Sequence, residues 1–93
     1  MSYRTQVKII ADVLSATNMH YEDDGAGVTE ILRKANLSYN RLIKMLKDLV
    51  SAGLLNETTN GKVIRYKLSD KGQEFLQIYG KFEEVACSFG LRL

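Results

Sequence analysis

The chain has 93 residues, 45% of them apolar, with thirteen lysines and arginines against eleven aspartates and glutamates and one histidine, for a formal charge of +2. That length makes a single domain over residues 1–93, cramped for a multi-step enzyme, and so small a net charge excludes a polycation over the whole chain. No apolar run approaches the roughly 20 residues that span a bilayer, and Met1-Ser2-Tyr3-Arg4 leads into a helical pattern rather than a signal core, so the chain is expected to be intracellular, in the cytoplasm or nucleoid, with no membrane partner.

Val7, Ile9, Ile10, Val13 and Leu14 recur at helical spacing, which predicts a first amphipathic helix over about residues 1–17 with Arg4, Lys8 and Asp12 on its wetter side. From Asn18 to Gly27 the acids Glu22, Asp23 and Asp24 and the glycines Gly25 and Gly27 have little to bury, and the segment reads as a loop facing away from any phosphate backbone. Residues 28–53 then read as helix, turn, helix. Thr29 is placed to cap a short helix with Ile31, Leu32 and Ala35 facing inward, and Asn36-Leu37 ends it. Ser38 caps the next helix, whose Leu42, Met45, Leu46, Leu49 and Val50 lie on one side and Asn40, Arg41, Lys44, Lys47 and Ser51 on the other, with Gly53 closing it in a left-handed conformation.

Residues 54–68 are β-branched, aromatic or alternating on both sides of Asn60-Gly61, the signature of a hairpin, with Ile64, Tyr66 and Leu68 pointing one way and Arg65 and Lys67 the other. Ser69 caps a last helix over residues 69–89, in which Phe75, Ile78, Tyr79, Phe82, Val85, Ala86 and Phe89 form a stripe at alternating spacings of three and four. The stripe is more apolar surface than so small a core covers, which favours association of two copies through it; Gly80 and Gly90 lower its helix propensity. The fold class is therefore α+β, mainly α: a winged helix-turn-helix, with a three-helix core, a β-hairpin wing and a C-terminal dimerisation helix.

Charge is segregated along the chain. From Glu30 to Lys71 nine basic residues face four acids, a local charge of +5 that leaves −3 elsewhere. A helix of this size fits the major groove of B-DNA, and its first turns reach the base edges. Asn40 pairs bidentately with adenine and Arg41 with guanine, the Ser38 and Tyr39 hydroxyls suit phosphates, and Lys44 and Lys47 act as point charges. Lys62 and Arg65 are placed for the flanking minor groove or its phosphates. The alternative for each is a solvated side chain, and for Tyr39 local packing.

Other chemistry is thin. His20, the only histidine, has no cysteine or serine in a nucleophile pair. With Glu22, Asp23 and Asp24 it matches neither a zinc nor a calcium spacing, and Gly25-Ala26-Gly27 lacks the lysine and the preceding strand of a phosphate-binding loop, so it reads as a flexible connection. No catalytic residue, metal site or cofactor is expected, and the chain reads as a non-enzyme. The lone Cys87 cannot form an internal disulfide, which leaves a buried thiol, a free thiol or a bridge to a second chain.

Thr29-Glu30-Ile31-Leu32, Ala35-Asn36-Leu37-Ser38-Tyr39, Leu42 to Leu49, Ala52-Gly53-Leu54-Leu55 and Tyr66-Lys67-Leu68-Ser69-Asp70-Lys71-Gly72 resemble the single-domain winged-helix proteins of archaea and their viruses, crenarchaeal ones among them. The pattern is similar to MarR-type transcription regulators and to small archaeal chromatin-like winged-helix dimers. The resemblance implies a homodimer on double-stranded DNA, reading it with the third helix and the wing. In a hyperthermophilic archaeal setting, where intracellular disulfides occur, it also makes Cys87 a candidate for an intersubunit disulfide, with a buried thiol still open. The expected function is a dimeric transcription regulator, with a non-sequence-specific architectural DNA protein and a protein-interaction module as the alternatives.

Overall fold

A computed structural model of the chain describes residues 6–18 and 25–91, all but the Asn60 side chain. Its elements are α1 (Gln6–Asn18), α2 (Val28–Ala35), α3 (Tyr39–Ser51), β1 (Leu55–Asn60), β2 (Val63–Leu68) and α4 (Asp70–Ser88). Four helices and one antiparallel hairpin make a mainly helical winged-helix fold. Its core is built on Val13, Leu14, Ile31, Leu42, Leu46 and Leu55, with Tyr66 and Leu68 from β2 closing one side.

Along α1 the residues Ile9, Val13 and Leu14 are buried at helical spacing, and Thr17, also buried, donates its hydroxyl to the Leu14 carbonyl at 2.7 Å and so leaves no polar atom unsatisfied. Two expectations for α1 change. Val7 is exposed, whereas Lys8 and Asp12 are half-buried, because α1 packs on α4 as well as on α2 and β2. Lys8 Nζ lies 3.8 Å from Asp12 and 3.6 Å from Glu83 on α4. Arg4, His20 and the acids Glu22, Asp23 and Asp24 lie outside the described residues; within them no group of histidine, cysteine or acidic side chains has a metal-binding arrangement.

The segment Gly25-Ala26-Gly27 is not a loose connection. Ala26 is fully buried and pairs with Tyr66 as an isolated bridge, its N–H reaching the Tyr66 carbonyl at 2.9 Å and its carbonyl accepting from the Tyr66 N–H at 2.8 Å. This adds a single rung to the hairpin. Gly25, at φ +106°, is required there, since a Cβ would sit 2.7 Å from the Tyr66 carbonyl oxygen. The cap of α2 moves accordingly from Thr29 to Gly27, whose extended backbone donates its N–H to Glu30 Oε2 at 2.5 Å. A carboxylate three residues into the helix outcompetes a threonine hydroxyl already inside the first turn.

Asn36, left-handed at φ +55°, turns the chain out of α2, and Ser38 starts α3 as expected, with Leu42, Met45, Leu46 and Leu49 buried. The hairpin turn falls one residue later than Asn60-Gly61. Asn60 pairs with Val63, and the two turn residues are Gly61, at φ +68°, and Lys62, the glycine-first order of a type II′ turn. Tyr66 and Leu68 face the core, but Ile64 on the same face is 44% exposed, because the hairpin projects past the core beyond its Ala26 rung.

At the end of the wing, Ser69 accepts the Gly72 N–H at 3.0 Å and donates to the Gly53 carbonyl at 2.5 Å, which joins the start of α4 to the end of α3. Gly72 is buried against this joint. A methyl group there would lie on the Leu54 carbonyl oxygen and 2.6 Å from Leu68 Cδ1. Gly72→Ala is therefore expected to destabilise the fold by about 1–3 kcal/mol, in spite of its better helix propensity. Urea unfolding followed by circular dichroism measures it, and an unchanged midpoint would mean that the joint yields.

Candidate nucleic-acid interface

The polar face of α3 stands clear of the core. Ser38, Tyr39, Asn40, Arg41, Lys44 and Lys47 are all exposed, while the opposite face of the same helix is buried. The cause is local: Ser38 Oγ accepts the Arg41 N–H at 3.3 Å and fixes where the first turn begins, and the Leu42-Met45-Leu46-Leu49 stripe then fixes its rotation. Asp48 is also exposed, one turn beyond Lys44, so the basic character of α3 is concentrated toward its N-terminal turns.

In the wing, the Tyr66 phenol is held above its ordinary pKa first by burial, then by the Glu57 carboxylate and last by Tyr39. Of the two wing cations, Lys62 is exposed in the turn, whereas Arg65 is half-buried and donates from a guanidinium nitrogen to the Gly25 carbonyl at 3.2 Å. Arg65 is anchored by the segment ahead of α2, and Lys62 is the more available cation.

Between the wing and the start of α2 runs an open cleft of about 430 Å³, lined by Gly27, Val28, Thr29, Glu30, Lys62, Val63, Ile64 and Arg65. Its α2 side is missing from the sequence-derived site. Nothing in the spacing of residues 27–30 and 62–65 links them; the Ala26–Tyr66 rung and the Arg65–Gly25 hydrogen bond bring them together. A buried alanine between two glycines was the one available signal, and it reads equally as a linker. The exposed Arg33 and Lys34, in the last turn of α2, add to the basic surface of the helix-turn-helix.

On α4 the predicted stripe divides. Ile78, Phe82, Val85 and Phe89 are exposed, Phe89 to 76%, whereas Phe75 and Tyr79 are half-buried and Ala86 is 5% exposed, covered within its own chain. Tyr79 donates to Glu83 at 3.3 Å, and its pKa is raised chiefly by burial, Lys8 opposing and Glu83 reinforcing the shift. Val7, Phe75, Ile78, Tyr79 and Phe82 line an apolar groove of about 190 Å³. Gly90, at φ +76°, stops the helix, with the Leu91 N–H returning to the Ala86 carbonyl at 2.8 Å. Cys87 is exposed, so the buried-thiol alternative fails. Among the described residues no helix is long and apolar enough to cross a membrane.

A family model described as winged helix-turn-helix matches residues 3–87. The chain belongs to that family. Among solved structures this winged helix-turn-helix protein is similar to Sso10a-2, a DNA-binding protein from Sulfolobus solfataricus, with 23% identity and a TM-score of 0.79 over 92% of this chain and 85% of that one. It is also similar to TubR, a type III plasmid segregation protein, with 22% identity and a TM-score of 0.62 over 87% and 91% of the two chains. These likenesses show the fold. No curated protein matches.

Within the winged-helix frame the Ser38 cap is testable by itself. Its hydrogen bond is long and exposed, so Ser38→Ala is expected to cost about 0.5–1 kcal/mol of unfolding free energy, the lower part of the range for N-caps, and Ser38→Asn to retain most of the stability. Denaturant titration of the two variants checks it; equal losses would mean that the side-chain bond contributes nothing.

Proposed function

We propose that this winged helix-turn-helix protein is a sequence-reading DNA-binding protein, a transcription regulator of MarR-like type that acts as a homodimer. The observation that carries the reading is the face of α3: Asn40 and Arg41, the two residue types that pair bidentately with adenine and guanine, are exposed in its first turn, with Lys44 and Lys47 behind them. Ser38 and Tyr39 suit phosphates beside them, and Lys62 and Arg65 bring the wing to the flanking groove or backbone. The family and the DNA-binding description of Sso10a-2 support the choice of partner.

The homodimer reading rests on α4. Ile78, Phe82, Val85 and Phe89 are exposed along the helix, and Val7 extends the same surface through the groove it shares with Phe75, Ile78, Tyr79 and Phe82. A contiguous apolar surface of this kind marks association more often than solvation. Ala86 supports that surface from beneath. Cys87, exposed near the end of α4, would lie close to the pairing surface, and a bridge between two copies is part of the reading only if oxidised protein runs as a dimer on a non-reducing gel.

Two measurements test the proposal. Selection from random duplex DNA is expected to enrich an inverted repeat, its half-sites about one helical turn apart. Arg41→Ala is expected to lose about 1–3 kcal/mol at its cognate base and to relax selection there; retention of all sequences alike would favour an architectural role, and no retention a protein-interaction module. Sedimentation equilibrium is expected to give twice the 10.5 kDa chain mass for the wild type and the single-chain mass for Phe82→Glu, whose 58%-exposed site tolerates the charge in a monomer. A wild type that stays monomeric at tens of micromolar would remove the dimer.

A further inference from the structure

The tip of the wing carries a feature that phosphate contacts do not explain. Val63 and Ile64 are 50% and 44% exposed, directly between Lys62 and Arg65. As neighbours on a strand they point to opposite faces of the ribbon, so each of its sides carries an exposed apolar side chain near the tip. A flat protein surface would cover only one of them. An occupant that covers both has two walls, and the cations around the tip call for walls edged with negative charge.

With α3 in the major groove, the wing meets the flanking minor groove, which has both properties, since deoxyribose lines its sides and phosphates line its rim. Relative dimensions govern how the ribbon could enter it. The last rung that ties the ribbon to the body is Ala26–Tyr66, and from Tyr66 to Lys62 the chain advances four residues, about 13 Å at ~3.3 Å per residue. That exceeds the ~7.5 Å depth of the minor groove, so the tip can reach its floor. Two strands ~4.8 Å apart, with side chains on both faces, are wider than a groove of ~6 Å. The ribbon can seat itself only by spreading the groove, and Val63 and Ile64 pressed on its two walls hold it open, which strains the stacking of the base step beneath.

We propose that Val63 and Ile64 form an apolar wedge that widens the minor groove and bends the DNA toward the major groove, with Lys62 and Arg65 toward the rim phosphates. The wedge rests on the DNA-binding reading above and adds a bending activity to it. Of the nearby acids, Glu30 is engaged by the Gly27 N–H, and Glu57 pairs with Tyr66 at the base of the ribbon, away from the tip.

The test is energy transfer between fluorophores at the two ends of a short duplex carrying the selected sequence, at saturating protein. The wild type is expected to bend it by about 20–90°. Val63→Thr with Ile64→Thr, exposed changes that keep β-branching, is expected to reduce the bend by at least half. It should leave the slope of log affinity against log salt unchanged, because every cation remains. With 2-aminopurine in the flanking step, fluorescence should rise on binding the wild type and not the variant. Binding with no bend and no fluorescence rise, or equal bends from both proteins, would overturn the wedge and leave DNA binding standing. A wild type that retains no duplex would remove the DNA reading and the wedge with it.

Discussion

The two reciprocal hydrogen bonds between Ala26 and Tyr66, at 2.9 and 2.8 Å, are the contact on which the geometry of this protein depends. A two-stranded hairpin is marginal alone. This one is tied to the body by a rung formed forty residues away in sequence, which also brings the start of α2 to the wing. Tyr66 lies at the crossing: its ring is buried in the core and its backbone holds the rung. Arg65 reinforces the tie through the Gly25 carbonyl. The wing and the start of α2 are therefore held to each other by one residue and its neighbours.

What was legible in the chain is what short-range physics decides. Ser38 and Ser69 cap helices because an oxygen meets an amide three residues on, Gly53 takes its left-handed turn within a few residues of the end of α3, and the stripe from Leu42 to Leu49 declares its own buried face. The exposed polar face of α3 follows as the complement of that stripe. What was not legible depends on distant partners. Gly25-Ala26-Gly27 has the composition of a linker and becomes part of a sheet only because Tyr66 arrives beside it. Lys8 and Asp12 look solvated on α1 alone, yet α4 covers them in part. Thr29 lost the cap to Gly27 through the Glu30 carboxylate, and the hairpin turn slid to Gly61-Lys62, both being competitions between adjacent residues of similar aptitude.

The attachment of α4 is a matter of relative magnitudes. The Lys8 links to Asp12 and Glu83 are long and partly solvated, and such pairs contribute at most about 1 kcal/mol. Burial of Ala86 and the packing of Phe75 and Leu76 against the core hold the helix instead, together worth more than the ion pairs by area removed from water. The polar cluster thus contributes orientation rather than strength. It lies beside the groove of Val7 and Phe82, where it limits how far the apolar surface spreads around the helix.

The Ser69 hydroxyl has a mechanical consequence. One oxygen terminates α3 through the Gly53 carbonyl and initiates α4 through the Gly72 amide, with the Leu54 carbonyl taking the Ser69 N–H beside it. The two helices are thus joined through one serine, α3 the short arm and α4 the long arm of a bent lever. In the dimer proposed above, the spacing and tilt of the two heads would then be written in the register of the long arms, and residues far from any phosphate would tune which half-site separation is read.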